Sequence, residues 1–252
     1  MNEKDCEAML NKARNYESQA TGTVAGQEFI EKAADKLKEA GDCYSKFKDY
    51  KTAITCYSEA SKHHKKLNYA VSVAMDSEGI AQCHKNLGND EAFKKFMREA
   101  AEIYAAQGEK MTTAGNLASA ALLYSEAAIT NKALHNSNAC KNFFTLAAQN
   151  YLEYAEMLLE EKDYGYVAAN LAWASMCNFA ISNREDAIKN SDRALKICEK
   201  NNILDENREL ATLSKAICDG SLKAAKQSLN KIKDNLSESE LKIIKQCLQS
   251  AE

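Results

Sequence analysis

The chain has 252 residues, 45% of them hydrophobic and 27% charged, with a net charge of −3. That balance argues against a general nucleic-acid binder, and no apolar run approaches the ~18 residues needed to cross a bilayer. Proline is absent and glycine occurs only nine times, so helices rich in Ala, Leu, Lys and Glu must be stopped by polar turns built on Gly, Asn and Asp.

Met1 to Asp5 are polar and lack the apolar centre of a signal peptide. Residues 3–16 are predicted as a short helix with Cys6, Met9, Leu10 and Ala13 on one face. A loop of small residues runs from Ser18 to Gly26. Helices then come in pairs: 28–46 with 49–66, broken at Lys48-Asp49, and 69–87 with 89–106, where Asn89 or Asp90 caps the second helix. The next pairs are 110–128 with 136–161, and 164–181 with 183–200, capped by Asn183. The tail holds helices 205–218, 221–234 and 237–249, the last opened by the capping box Ser237-x-x-Glu240.

The segment Leu37 to Ala60 fits the tetratricopeptide signature W-x₂-L-G-x₂-Y followed by A-x₃-F. Leu37 takes the aromatic slot, Ala40-Gly41 the Leu-Gly pair, Tyr44 the tyrosine, and Ala53 with Tyr57 the second half. Small residues let antiparallel helices approach, large ones fill the space between them, and such a hairpin needs stacked neighbours to bury its apolar face. Tyr44 to Cys83 and Tyr57 to Phe96 are both 39 residues, and Tyr44 to Tyr124 is 80; Ala187-Ile…Ala194 repeats Ala53-Ile…Ala60. The period is therefore near 40, longer than the usual 34. The expected fold is all-α: a right-handed superhelical solenoid of tetratricopeptide-like hairpins over 1–200, continuous with a C-terminal helical bundle over 201–252.

No motif of chemistry appears. Gly22 with Gly26, and Gly108 with Gly115, lack the G-K-[ST] ending of a phosphate loop, and neither G-x-S-x-G nor H-E-x-x-H occurs. His63-His64, Cys83 and His84 lack the three- or four-residue spacing of helix-borne metal ligands, and the histidines are expected to be solvated or snorkelling. The nine cysteines, an odd number with no C-x-x-C, are expected as reduced core thiols in a cytosolic protein. No catalytic residue, cofactor or metal is assigned, and the chain is not expected to be an enzyme. Surface charge carries more. Lys62, Lys65 and Lys66 end one helix, Lys94, Lys95 and Arg98 share a face one repeat later, and Lys132 and Lys141 extend the stripe, which makes these eight a candidate partner-binding basic face. Tyr151, Tyr154, Tyr164 and Tyr166 gather near the turn at Lys162-Asp163, and Trp173 among alanines is expected to pack between hairpins.

The longer period, the Ala-rich stretch Asp49 to Ala60, the segment Glu91 to Tyr104 and the turn residues Gln107-Gly108 and Ala114 to Ala118 together resemble the soluble NSF attachment proteins, the SNAP adaptors of membrane fusion. The resemblance implies an adaptor in vesicle-mediated protein transport. Its basic face would grip a SNARE-type coiled-coil bundle, and its C-terminal end would recruit a hexameric AAA ATPase. The loop that reaches the membrane in that family corresponds here to Thr21–Val24, whose one apolar residue, Val24, implies weak or no direct membrane contact. The implied location is cytoplasmic, peripheral on membranes through partners. The alternative is a generic tetratricopeptide scaffold that holds a peptide or protein partner in its concave groove, where such scaffolds often present Lys, Arg and Asn to a carboxylate terminus.

Overall fold

The structure is a computed structural model that describes residues 3–20 and 24–251, the side chains of residues 24 and 25 excepted. Among the described residues there are no strands and twelve α-helices: α1 (Glu3–Gln19), α2 (Val24–Lys46), α3 (Tyr50–Lys66), α4 (Ala70–Asn86), α5 (Asp90–Thr113), α6 (Leu117–Ala133), α7 (Ser137–Glu160), α8 (Tyr164–Ala180), α9 (Arg184–Lys200), α10 (Glu206–Cys218), α11 (Leu222–Ile232) and α12 (Glu238–Ala251). None is long and apolar enough to cross a membrane. The fold is all-α, with consecutive helices packed in pairs.

One buried stripe explains why these segments are helices. In α3 through α9 the fourth, eighth and eleventh residues are all buried, as Ala53, Tyr57 and Ala60 are in α3 and Ala187, Ser191 and Ala194 in α9. That is the i, i+4, i+7 spacing of one helix face. The eleventh residue is alanine in six of the seven helices, so neighbouring backbones can approach there. Helices α3, α4, α6, α8 and α9 have 17 residues, and α5 and α7 have 24. The difference is about two helical turns, so the longer helices keep the same face inward.

The turns are equally regular. From α2 to α9 each linker has three residues: a helix C-cap, a residue with left-handed φ, and the N-cap of the next helix. The middle residues are Lys48, Asn68, Gly88, Gly115, His135, Lys162 and Ser182, with φ between 58° and 77°. In the α7–α8 linker Lys162 donates its backbone N–H to the Leu159 carbonyl at 3.2 Å, and Asp163 donates to that of Leu158 at 3.0 Å. This pair of bonds satisfies the carbonyls left open at the helix end. Non-glycine residues occupy five of these seven positions, at about 1–2 kcal/mol each. The chain thus ends its helices without proline.

Two expectations are corrected here. The turn expected at Gln107-Gly108 lies inside α5, which continues to Thr113; the chain turns at Gly115, φ 77°. Gly108 serves packing instead, because a Cβ there would meet the Tyr124 ring at 2.9 Å. The period is not uniform either: α3 and α5 start 40 residues apart, but α5 to α7 and α7 to α9 are 47 each. Tyr44 lies near the end of α2 and Tyr124 in the middle of α6, so their spacing of 80 does not mark equivalent positions. Ala53–Ala60 and Ala187–Ala194 do occupy equivalent positions of α3 and α9.

The chain divides into two compact units, Met1–Tyr104 and Ala105–Glu252, and the division falls within α5. In the first, Tyr57 lies between two glycines: a Cβ on Gly41 or on Gly79 would meet its ring at 2.8 Å. Its hydroxyl donates to Asp42 Oδ1 at 2.7 Å. Cys6 and Cys43 form a disulfide that ties α1 to α2, against the expectation of nine free thiols; the other seven cysteines are free and buried. The spacing pattern gave no warning, because α1 lies against α2 only through the tertiary fold. Val24 begins α2 rather than lying in a loop, residues 21–23 fall outside the described residues, and so does the Val24 side chain.

In the second unit α6, α7, α8 and α9 pack in chain order, α10 rests on α8 and α9, and α12 reaches α6 and α8. Its core holds Phe144, Met176, Leu213, Ile217, Ile243 and Ile244, and Lys242 on α12 donates to the buried Glu126 carboxylate on α6 at 3.0 Å. Helices α10 and α12, beyond residue 200, thus pack directly on helices before it.

Candidate functional site

Within residues 105–252 a cavity of about 430 Å3 opens among α6, α7, α8, α10 and the α11–α12 corner. Its walls carry Tyr151 and Tyr154 from α7, and Tyr166 and Trp173 from α8. The room exists because the facing positions are small: Ala118 and Ser119 on α6, Ala169 on α8. Leu210, Ile232 and Leu236 close it from the C-terminal helices. Trp173 is 5% exposed and its ring lies 6.5 Å from that of Tyr151, tilted by 26°, whereas Tyr166 at the mouth is 59% exposed. Such a mixture of rigid aromatic walls and a few polar groups is the usual make-up of a recognition pocket.

The polar groups include two carboxylates and two oxygens to which no described residue donates. Asn170, 6% exposed, donates its amide to the Tyr166 carbonyl at 2.8 Å, which leaves its Oδ1 without a donor among the described residues. The Tyr151 hydroxyl, 4% exposed as a residue, makes no hydrogen bond to a described residue. Burial, followed by the nearby Cys177, Glu240 and Glu126, pushes this phenol well above its ordinary range, so it stays a neutral O–H. Glu206 accepts from Asn235 Nδ2 at 2.6 Å, and Glu240 accepts from the Ser237 backbone N–H at 2.8 Å and hydroxyl at 2.6 Å. Neither carboxylate has a cationic partner among the described residues, and no Lys, Arg or His lines the cavity.

The sequence placed only part of this site. Tyr151, Tyr154 and Tyr166 were visible as part of a tyrosine cluster, and Trp173 was expected only to pack; it does pack in the core, and it also forms a cavity wall. Tyr164 does not line it. Glu206, Asn235 and the helix ends around them were not foreseen as site residues, because their approach to α7 and α8 depends on how α10 to α12 fold back. Glu240 was legible only as the capping residue it also is.

Lys62, Lys65 and Lys66 are exposed on α3, and Lys94, Lys95 and Arg98 on α5, all in the first unit. Lys65 pairs with Glu99 at 3.3 Å across α3 and α5, while Lys62, Lys66, Lys94 and Arg98 form no ion pair among the described residues. Lys132 and Lys141 belong to the second unit, where with His135 and the buried Cys140 they line another recess of about 470 Å3. His135 is exposed, whereas the other three histidines are held by neighbouring side chains. His64, 3% exposed, sits 2.7 Å from the fully buried Asp76, His63 sits 2.7 Å from Glu17, and His84 stacks on Phe96 at 5.8 Å. No three His, Cys, Asp or Glu side chains among the described residues are arranged to hold a metal ion.

No protein-family description matches the chain. No curated protein matches it either. Among solved structures it is similar to BtubC (BKLC) from P. vanneervenii, at 14% identity over 92% of this chain and 89% of that one, with a TM-score of 0.52. At that identity the likeness is one of fold. Looser likenesses are to C. therm. Get4 (12% identity, 95% and 88% coverage, TM-score 0.30) and to PilW, a type IV pilus biogenesis factor (17%, 84% and 98%, 0.27), both too distant in shape to carry weight.

Proposed function

We propose that the chain is a non-catalytic helical scaffold that holds a segment of a protein partner in the aromatic cavity of residues 105–252. The observation that carries this is the cavity itself: three tyrosines and the chain's single tryptophan line a volume of about 430 Å3. Regular, capped turns and an alanine-lined stripe give the rigid support that a preformed site needs. The test is a selection from a random peptide library on the purified chain. Selected peptides are expected to lose about tenfold or more in affinity with Tyr166→Ala or Tyr154→Ala, since tyrosine is among the residues that most often anchor such contacts. Selected peptides that bind both variants as tightly as the parent would overturn it.

The adaptor reading, with a SNARE-type bundle and a hexameric AAA ATPase as partners, has one supporting observation: Lys62, Lys66, Lys94 and Arg98 are exposed and unpaired among the described residues. On that reading an assembled four-helix SNARE bundle binds at low salt, and Lys94→Glu with Lys95→Glu and Arg98→Glu abolishes binding. Absence of binding at low salt removes it. A cytoplasmic placement goes with this reading; the seven free thiols support it, and the Cys6–Cys43 bond weighs against it.

A further inference from the structure

We infer that the cavity among α6, α7, α8, α10 and α12 takes a protonated lysine or arginine side chain of the bound segment. This deepens the scaffold reading and rests on it. Three independent features converge. Tyr151, Tyr154, Tyr166 and Trp173 line the cavity with aromatic rings, a side-chain type whose faces attract a cation. Glu206 and Glu240 bring two formal negative charges to the same cavity, held by neutral donors only: Asn235 for the first, Ser237 for the second. The buried side chains of Tyr151 and Asn170 line the cavity with a hydroxyl oxygen and an amide oxygen to which no described residue donates.

The chemistry excludes the other obvious occupants. A carboxylate terminus, which scaffolds of this kind often hold with Lys, Arg and Asn, would meet two like charges here and no cation. A purely apolar side chain would satisfy the aromatic walls but leave the Tyr151 and Asn170 oxygens, now cut off from water, unmatched. A long basic side chain satisfies both. Its methylenes lie along the rings, and its N–H groups reach the carboxylates and the two open oxygens.

Trp173 is the chain's sole tryptophan and forms a wall of the cavity, so its fluorescence reads occupancy directly. The experiment titrates the intact chain with four blocked pentapeptides, Ac-Leu-Ala-X-Ala-Leu-NH2, with Arg, Lys, Gln or Glu at X. The Arg and Lys peptides are expected to shift Trp173 emission and to bind about tenfold or more tighter than the Gln peptide, with the Glu peptide weakest. The preference should shrink as salt rises from about 50 to 500 mM. It should disappear in the Glu206→Gln, Glu240→Gln double variant, which keeps the α12 capping box because Gln serves there as well as Glu. If the Gln peptide binds as tightly as the Arg peptide, the cation inference is wrong while the cavity remains a peptide site. If none of the four binds, and peptides selected from the library also leave Trp173 emission unchanged, both readings fall. The peptide series on the parent chain stands even should the double variant misfold.

Discussion

Tyr57 and Tyr124 occupy the same eighth position of α3 and α6, and each lies against a glycine of a preceding helix, Gly41 or Gly108. The ring, and not a helix-on-helix contact, fills the space that glycine leaves. A helix interior would ordinarily gain about 1 kcal/mol from Gly→Ala. At Gly108 the added methyl would sit 2.9 Å from the Tyr124 ring, and overpacking of this kind costs about 1–3 kcal/mol. Gly108→Ala is therefore expected to lower stability in urea unfolding, and Gly108→Ala with Tyr124→Leu to recover part of the loss. Asp76 makes a second residue-scale case. Its carboxylate is fully buried, and burial outweighs the His64 contact to raise its pKa. The folded chain thus holds this proton more tightly than the unfolded one. The resulting stabilisation is complete below about pH 3.9, the unfolded value, and is lost as pH rises through the higher folded value. Asp76→Asn has no such proton. The stability of the parent relative to Asp76→Asn should accordingly fall between pH 4 and pH 7. A gap that widens with pH would mean that His64 more than offsets the burial.

At the scale of helices and turns, the distance from one hairpin to the next is set by helices of 17 or 24 residues, which differ by about two turns, each followed by three linker residues. Pattern reading found the helices and several breaks because apolar spacing and Asn, Asp or Gly at the linkers are local signals. It misjudged the Gln107-Gly108 break because a glycine looks the same in sequence whether it bends the chain or admits a ring. It read a uniform period because two extra helical turns preserve the buried face and leave the pattern intact. The three tyrosines of the cavity were legible as a cluster, since they lie on two consecutive helices, while Trp173 was read as packing alone; the acidic part was not legible, since it comes from chain about 30 to 90 residues away in sequence. The linkers offer a direct test. Lys162 holds φ at 63°, a conformation that disfavours a side chain by about 1–2 kcal/mol and that glycine adopts freely. Lys162→Gly gives back part of this gain as unfolded-state entropy. A net stabilisation of about 0.5–1 kcal/mol is expected, measured as a shift in the denaturant midpoint at constant slope. The same change at Lys141, in the second turn of α7, should instead destabilise by up to about 1 kcal/mol.

Over the whole molecule, cysteine chemistry gives an account in which burial, compartment and fold can be checked together. All seven free thiols are buried, and burial raises their pKa, to about 11 for Cys56 and about 12 for Cys177. The thiolate is the reactive form, so each is protected twice, by access and by protonation. The Cys6–Cys43 bond joins positions 37 residues apart, and closing a loop of that length is worth about 3–4 kcal/mol through the unfolded state. A thiol reagent added to the native chain at pH 8 should therefore find almost nothing. In denaturant without reductant it should count seven thiols, and nine only after reduction. The reduced chain should also unfold at lower denaturant than the oxidised one. Nine thiols in denaturant alone, from protein purified without reductant, would restore the expectation of a fully reduced protein and remove the one structural feature that weighs against a cytoplasmic scaffold. Seven would mean that the first helix is held to its neighbour covalently before any partner is bound.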